Sequence, residues 1–179
     1  NANNFTNFGA KSNDGNTEDG MHIKGLFNVN TNNTFKNDGT IVSDNNFTIT
    51  ANNFINTTNG FLSTKNNLFV TLTGDFLNEG WMQAGIKNNN FSFGGRMKFR
   101  VDGNLVNKYG NIIAVDSIDV RGKNNNKAKS FQNISGLVET LKGDMKFNLN
   151  KFTNKREKFI VKNRKISKTL QEDYVDASC

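Results

Sequence analysis

Few side chains in this chain are placed to do chemistry. His22 is its single histidine, so a Ser/His/Asp triad would have to use it. It lies between Met21 and Ile23, and in a strand it faces away from both. An exposed or corner position fits it better than a catalytic base. Cys179, the single cysteine, stands at the last position, so no intramolecular disulfide can form. It is poorly placed for a nucleophile in an ordered site. No His/Cys spacing marks a metal cluster. Asp14, Asn16, Glu18 and Asp19, with Gly15 and Gly20, outline part of a calcium loop. The full ligand pattern is missing, and the segment reads as a solvated loop. Acid–base work on a glycosidic bond needs clustered carboxylates. Asp102, Asp116 and Asp119, with Arg100 and Arg121, are the one set that could supply them. Asp116 and Asp119 cannot share one side of a flat strand, because side chains alternate with a period of two. The chain therefore reads as non-enzymatic, with no catalytic residue, no metal and no cofactor.

What recurs is a structural phrase. An apolar residue is followed by Asn two positions on, then by Gly and a second apolar pair. Phe35, Asn37, Gly39 and Ile41 form one copy. Ile55, Asn56 and Gly60 form another, as do Phe76, Asn78 and Gly80. Leu105, Asn107 and Gly110 follow, then Phe131, Asn133 and Gly136. Short alternating runs such as Phe47–Ala51 and Ile118–Val120 sit between copies. Asn37 to Asn56 spans 19 residues and Asn56 to Asn78 spans 22. Three strands of four to five residues and three turns need about that many, at about 3.3 Å per strand residue. A period of this size made of short strands and turns is the mark of a solenoid. Each coil is too small to bury its own apolar face, so coils must stack.

In such a stack the repeated Asn is expected at a turn, bonding its equivalent or the backbone of the next coil. The repeated Gly is expected to supply a backbone angle that a Cβ obstructs. Asn37, Asn56, Asn78, Asn107 and Asn133, with Gly39, Gly60, Gly80, Gly110 and Gly136, thus form a structural turn ladder. The coils from Asn78 to Asn107 and from Asn107 to Asn133 are longer, at 29 and 26 residues. Their surplus is assigned to two extruded loops, Lys87, Asn88, Asn89 and Asn90, and Lys123, Asn124, Asn125, Asn126 and Lys127. These are the candidate contact loops.

Composition agrees. Apolar residues make up 35% of the 179 residues, with 16 Phe and no Pro. They fall in alternating patches, as half-buried strands require. Proline would remove a ladder hydrogen bond wherever coils pair. The net charge of +7 suits anionic partners, although exposed Lys on strand faces also blocks edge pairing. The basic run from Lys155 to Lys168 lacks the aromatic and Gly-rich context of a nucleic-acid site, so no specific nucleic acid is expected. Asn-X-Ser/Thr triplets at Asn4, Asn32, Asn46, Asn56, Asn90 and Asn133 arise by chance in so Asn-rich a chain. No run of 18 apolar residues and no signal peptide occurs, and the chain reads as a piece of something longer.

The phrase N-x-G-x-I, a short alternating strand and a closing L-x-N resemble the haemagglutinin repeats of the filamentous haemagglutinin family. Gly143 to Leu149, leading into Phe152–Glu157, resembles its late-repeat form. The resemblance implies a right-handed parallel β-helix of about 6–7 coils, at roughly 20–30 residues each. It implies export through an outer-membrane two-partner secretion transporter of a Gram-negative bacterium, and display at the cell surface. Residues 1–34 are then first, irregular coils, 35–160 the repeats, and 161–179 a basic then acidic cap or tail. The implied function is that of a secreted adhesin shaft touching a receptor or glycan on a target cell. Two alternatives stand beside it: a receptor-recognition segment of a contact-dependent growth inhibition exoprotein, and a carbohydrate-active β-helix enzyme.

Overall fold

The alternating patches fold into three parallel sheets wound as a β-helix. The computed structural model describes residues 2–9, 20–87 and 92–157. The first sheet has seven strands: Phe5–Phe8, Thr34–Asp38, Asn53–Asn56, Phe76–Asn78, Asn104–Lys108, Ser130–Ile134 and Phe152–Lys155. The second has six: Gly20–Ile23, Thr40–Ser43, Phe61–Thr64, Trp81–Ala84, Asn111–Ala114 and Leu137–Thr140. The third also has six: Phe27–Asn30, Phe47–Ala51, Leu68–Leu72, Arg96–Val101, Ser117–Arg121 and Met145–Phe147. In each sheet every strand pairs with its equivalent one coil away. The all-β solenoid expected from the repeat is therefore what the chain adopts.

Register explains the repeated phrase. Phe35 pairs with Phe54, Phe54 with Phe76 and Phe76 with Leu105. Their side chains point inward, and Phe35, Phe54 and Phe76 are essentially fully buried. Phe5, Phe35, Phe54 and Phe76 stack in one column, with ring centroids 4.7, 5.4 and 4.8 Å apart and interplanar angles of 6–10°. Phe27 and Phe47 start a second stack in the third sheet at 4.6 Å. The first-sheet column meets rings of the third sheet edge-on, as at Phe35–Phe47 (6.1 Å, 65°) and Phe76–Phe99 (5.2 Å, 77°). Ile41, Leu62, Met82 and Ile112 close the core from the second sheet. Aromatic pairs of this kind add about 0.5–1.5 kcal/mol beyond the area they bury. Each sheet sends more than one column inward; in the third, Ile49, Val70, Phe99 and Val120 form a further buried column beside the Phe27–Phe47 one.

The two long coils break out of the parallel pattern at different corners. In the first, Ile86–Lys87 and Ser92–Phe93 form a small antiparallel hairpin between the second and third sheets. Its base turns on Gly85, Gly94 and Gly95, with φ of 86°, 52° and 104°. In the second, a single 3-10 turn at Lys123–Asn125 lies between the third sheet and the first. Asn124 and Asn125 take φ of 52° and 64° there.

Replacing Phe54 by Ala opens a void in the middle of the stack and should cost about 3–5 kcal/mol. Ile55→Ala, on the outer side of the same strand, should cost about 1 kcal/mol or less. Urea melts of the two variants check this, and equal losses would rule out the inward–outward assignment.

Candidate functional site

Seven asparagines run through the interior in a line. Asn7 donates its Nδ2–H to Asn37 Oδ1 at 2.8 Å, and Asn37 donates likewise to Asn56 at 2.8 Å. The chain continues from Asn56 to Asn78 (2.8 Å), Asn107 (2.7 Å), Asn133 (2.8 Å) and Asn154 (3.0 Å). The steps in sequence are 30, 19, 22, 29, 26 and 21 residues. Spare amide protons go to backbone carbonyls, as from Asn107 to Gly110 O at 2.9 Å. Asn37, Asn56, Asn78 and Asn107 are fully buried, a position such amides occupy only when satisfied.

Two details differ from the sequence reading. The asparagines do not sit in turns; each is the second inward residue of a first-sheet strand, just before the corner. The strand needs a polar inward residue there because the neighbouring corner leaves carbonyls to satisfy. The repeated glycines do not supply an unusual angle either. Gly39, Gly60, Gly80, Gly110 and Gly136 are absent from the positive-φ glycines. They leave room instead. A Cβ on Gly60 would fall 2.1 Å from Asn56 Oδ1, and one on Gly110 or Gly136 2.4 Å from the Nδ2 of Asn78 or Asn107. Where the spacing is Asn-x-x-Gly, the left-handed residue is the one before the glycine, Tyr109 (φ 58°) or Ser135 (φ 51°). Asn56 and Asn133, both within Asn-X-Ser/Thr triplets, are held in the ladder and inaccessible in the folded chain.

The carboxylates that could have formed an acid–base pair are committed separately. Asp119 lies between Arg100, at 2.7 Å, and Arg121, at 2.9 Å. Partial burial pushes its carboxyl up, but the Arg100 and Arg121 hydrogen bonds outweigh this and hold it below the usual value. Asp116 stands 4.0 Å from Arg96. Asp102 accepts the Lys123 backbone N–H at 2.9 Å and so ties down the second loop. His22 is exposed and lies 3.1 Å from Asp44, which also meets Lys65 at 2.7 Å. The Lys65 and His22 contacts hold Asp44 below its usual range. Among the described residues no group of three or more His, Cys, Asp or Glu could hold a metal ion.

The Ile86–Lys87 and Ser92–Phe93 pair and the 123–127 turn flank one face. The hairpin enters the third sheet before Arg96–Val101, and the 123–127 turn leaves it after Ser117–Arg121. Between them, on the outer side, lie Lys98, Arg100, Asp119 and Arg121. The second loop is stitched in place: Arg121 donates to Asn125 Oδ1 at 3.2 Å, and Asn126 N–H to Lys123 O at 3.0 Å. Asn124, Asn125, Asn126 and Lys127 remain exposed. Asn88, Asn89 and Asn90, most of the calcium-like segment, Cys179 and the 161–179 tail lie outside the described residues.

Asn56→Asp should destabilise the chain by more than the about 1–3 kcal/mol of one neutral unsatisfied buried group, because it sets a carboxylate against Asn78 Oδ1. Burial raises the folded pKa of the new acid, so its stability is kept at low pH and lost as pH rises; the melt deficit should shrink from pH 7 to pH 4. Asp119→Asn has the opposite pH signature. Its native carboxyl is depressed, so the stabilisation is present above the unfolded value near pH ~3.9 and lost as pH falls through the folded one. The Tm difference from the parent should be largest at neutral pH and vanish in acid.

No protein-family model matches the chain, and no solved structure matches it. A curated protein of Dickeya dadantii (strain 3937), Deoxyribonuclease CdiA, is 32% identical over 105 residues. The match takes in 52% of this chain and 3% of that protein. The chain is thus a distant, partial homologue of CdiA, spanning a small fraction of its length.

Proposed function

We propose that this chain is a segment of a contact-dependent growth inhibition exoprotein of a Gram-negative bacterium. The observation that carries the reading is the 32% identity to CdiA, combined with the stacked-coil architecture of the described residues. The deoxyribonuclease named for CdiA belongs to that protein, of which this chain covers 3%. The segment's own role is mechanical: a β-helical shaft of haemagglutinin-type repeats, exported through an outer-membrane two-partner secretion transporter and displayed at the surface. Repeats that contact only their neighbours suit such a shaft, because length is added without remaking a core. An adhesin of the filamentous haemagglutinin type would use the same architecture.

The two insertions in the chain, one entering the third sheet and one leaving it, favour a recognition role on top of the shaft. Insertions at solenoid corners map to one face and are the usual place for contacts. The partner would be a receptor on the target cell. Labelled chain should bind intact bacteria or host cells saturably, and a variant lacking residues 87–90 and 123–127 should lose that binding with an unchanged melt. Binding that survives the deletion removes the loops from the contact. A folded chain that binds neither cell type leaves it as shaft alone.

A further inference from the structure

The outer side of the second sheet differs from the rest of this basic chain. Its strands present two outward columns, one containing Phe61, Trp81 and Asn111, the other Ser63, Gln83 and Ile113. No outward residue is charged from Thr40–Ser43 to Asn111–Ala114. Charges such as Asp44 and Lys65 lie at the corner beyond. A net charge of +7 that leaves one face neutral selects against an ionic partner there.

Phe61 and Trp81 are neighbours across this face, their rings near parallel at 6.4 Å and 19°. Phe61 is 37% exposed and Trp81 half-buried. The indole is held by its own hydrogen bond: Trp81 Nε1–H donates to Gln83 Oε1 at 3.3 Å, and Gln83 Nε2–H donates to Gly85 O at 3.2 Å. On either side lie unspent polar groups. The Ser63 hydroxyl and the Asn111 amide make no hydrogen bond among the described residues. All of these groups stand on paired strands, so no loop has to be ordered on binding.

We propose that this face binds a neutral oligosaccharide. An uncharged sugar chain offers apolar C–H faces that pack on aromatic rings, and hydroxyls that need amide and hydroxyl partners. Phe61 and Trp81 supply the apolar surface, and Ser63 and Asn111 the polar partners. From Thr40 to Asn111 the column crosses three strand spacings, about 14 Å. That length fits several sugar rings in a row along the helix axis. The proposal rests on the cell-contact reading for its setting, but its test is run on purified chain without cells, so either can fail alone.

Trp81 is the single tryptophan, so its emission reports this face directly. The full chain is titrated with chitotetraose, cellotetraose, maltotetraose and mannotetraose, with a heparin-derived tetrasaccharide as the anionic control. The expected result is a saturable change in emission with at least one neutral sugar, equal at low and high salt. Phe61→Ala should weaken it by about tenfold or more, and calorimetry should show the same for Trp81→Ala. Both substitutions are on the outer side, and circular dichroism verifies the fold. A response to the heparin fragment alone, an affinity unchanged by Phe61→Ala, or no response from a folded chain overturns the proposal. The last result stands as an overturn even if a protein is later found on this face.

Discussion

The hydrogen bond from one buried asparagine to the next fixes the register on which the rest of the molecule depends. An amide in the interior must find a partner, and here the partner is the same residue one coil away. A slip of one residue would turn every side chain to the opposite face and leave the amides unpaired in the core. With Asn fixed, the residue two before it must point inward as well, and that position becomes the phenylalanine column. The glycine beyond it must lack a Cβ, because a ladder amide or the backbone of the preceding coil fills the space. One pairing rule thus specifies three positions of the repeat. It leaves the other corners free, so coils with steps between 19 and 30 residues share one ladder.

The architecture was legible in the sequence because its code is periodic. Asn37, Asn56, Asn78, Asn107 and Asn133 stand out by recurrence, and the alternating Phe, Ile and Leu around them assign the faces. What the sequence did not convey was why those residues were needed. The glycines look like turn formers, yet they are set by contacts between coils that no local window contains. Asn7 and Asn154 complete the ladder although their own phrases are degenerate, since position in the stack decides pairing. The segment after Ala84 has the composition of a loop; Gly94 and Gly95, separated from the Asn run by three residues, are the sign of its paired base.

The outer faces were the least readable. Trp81 directly follows the glycine of its repeat. Alternation places it outside and Met82 inside. Asp119 stands in the same sequence set as Arg100 and Arg121, but only the stacking of coils shows that Arg100 pairs with it from the previous coil. Contacts that span a full coil can be read only once the length of that coil is known, and insertions make each length different.

The asparagine line also has a direction. Every amide dipole in it points the same way along the axis, from Asn7 toward Asn154. One end therefore presents a carbonyl oxygen and the other an amino group. Two such stacks placed head to tail would join like to unlike and carry the line across the junction. Placed head to head they would set oxygen against oxygen. The shaft is in this sense a vector, and any assembly made by abutting its ends inherits a built-in polarity, much as a filament has a plus and a minus end.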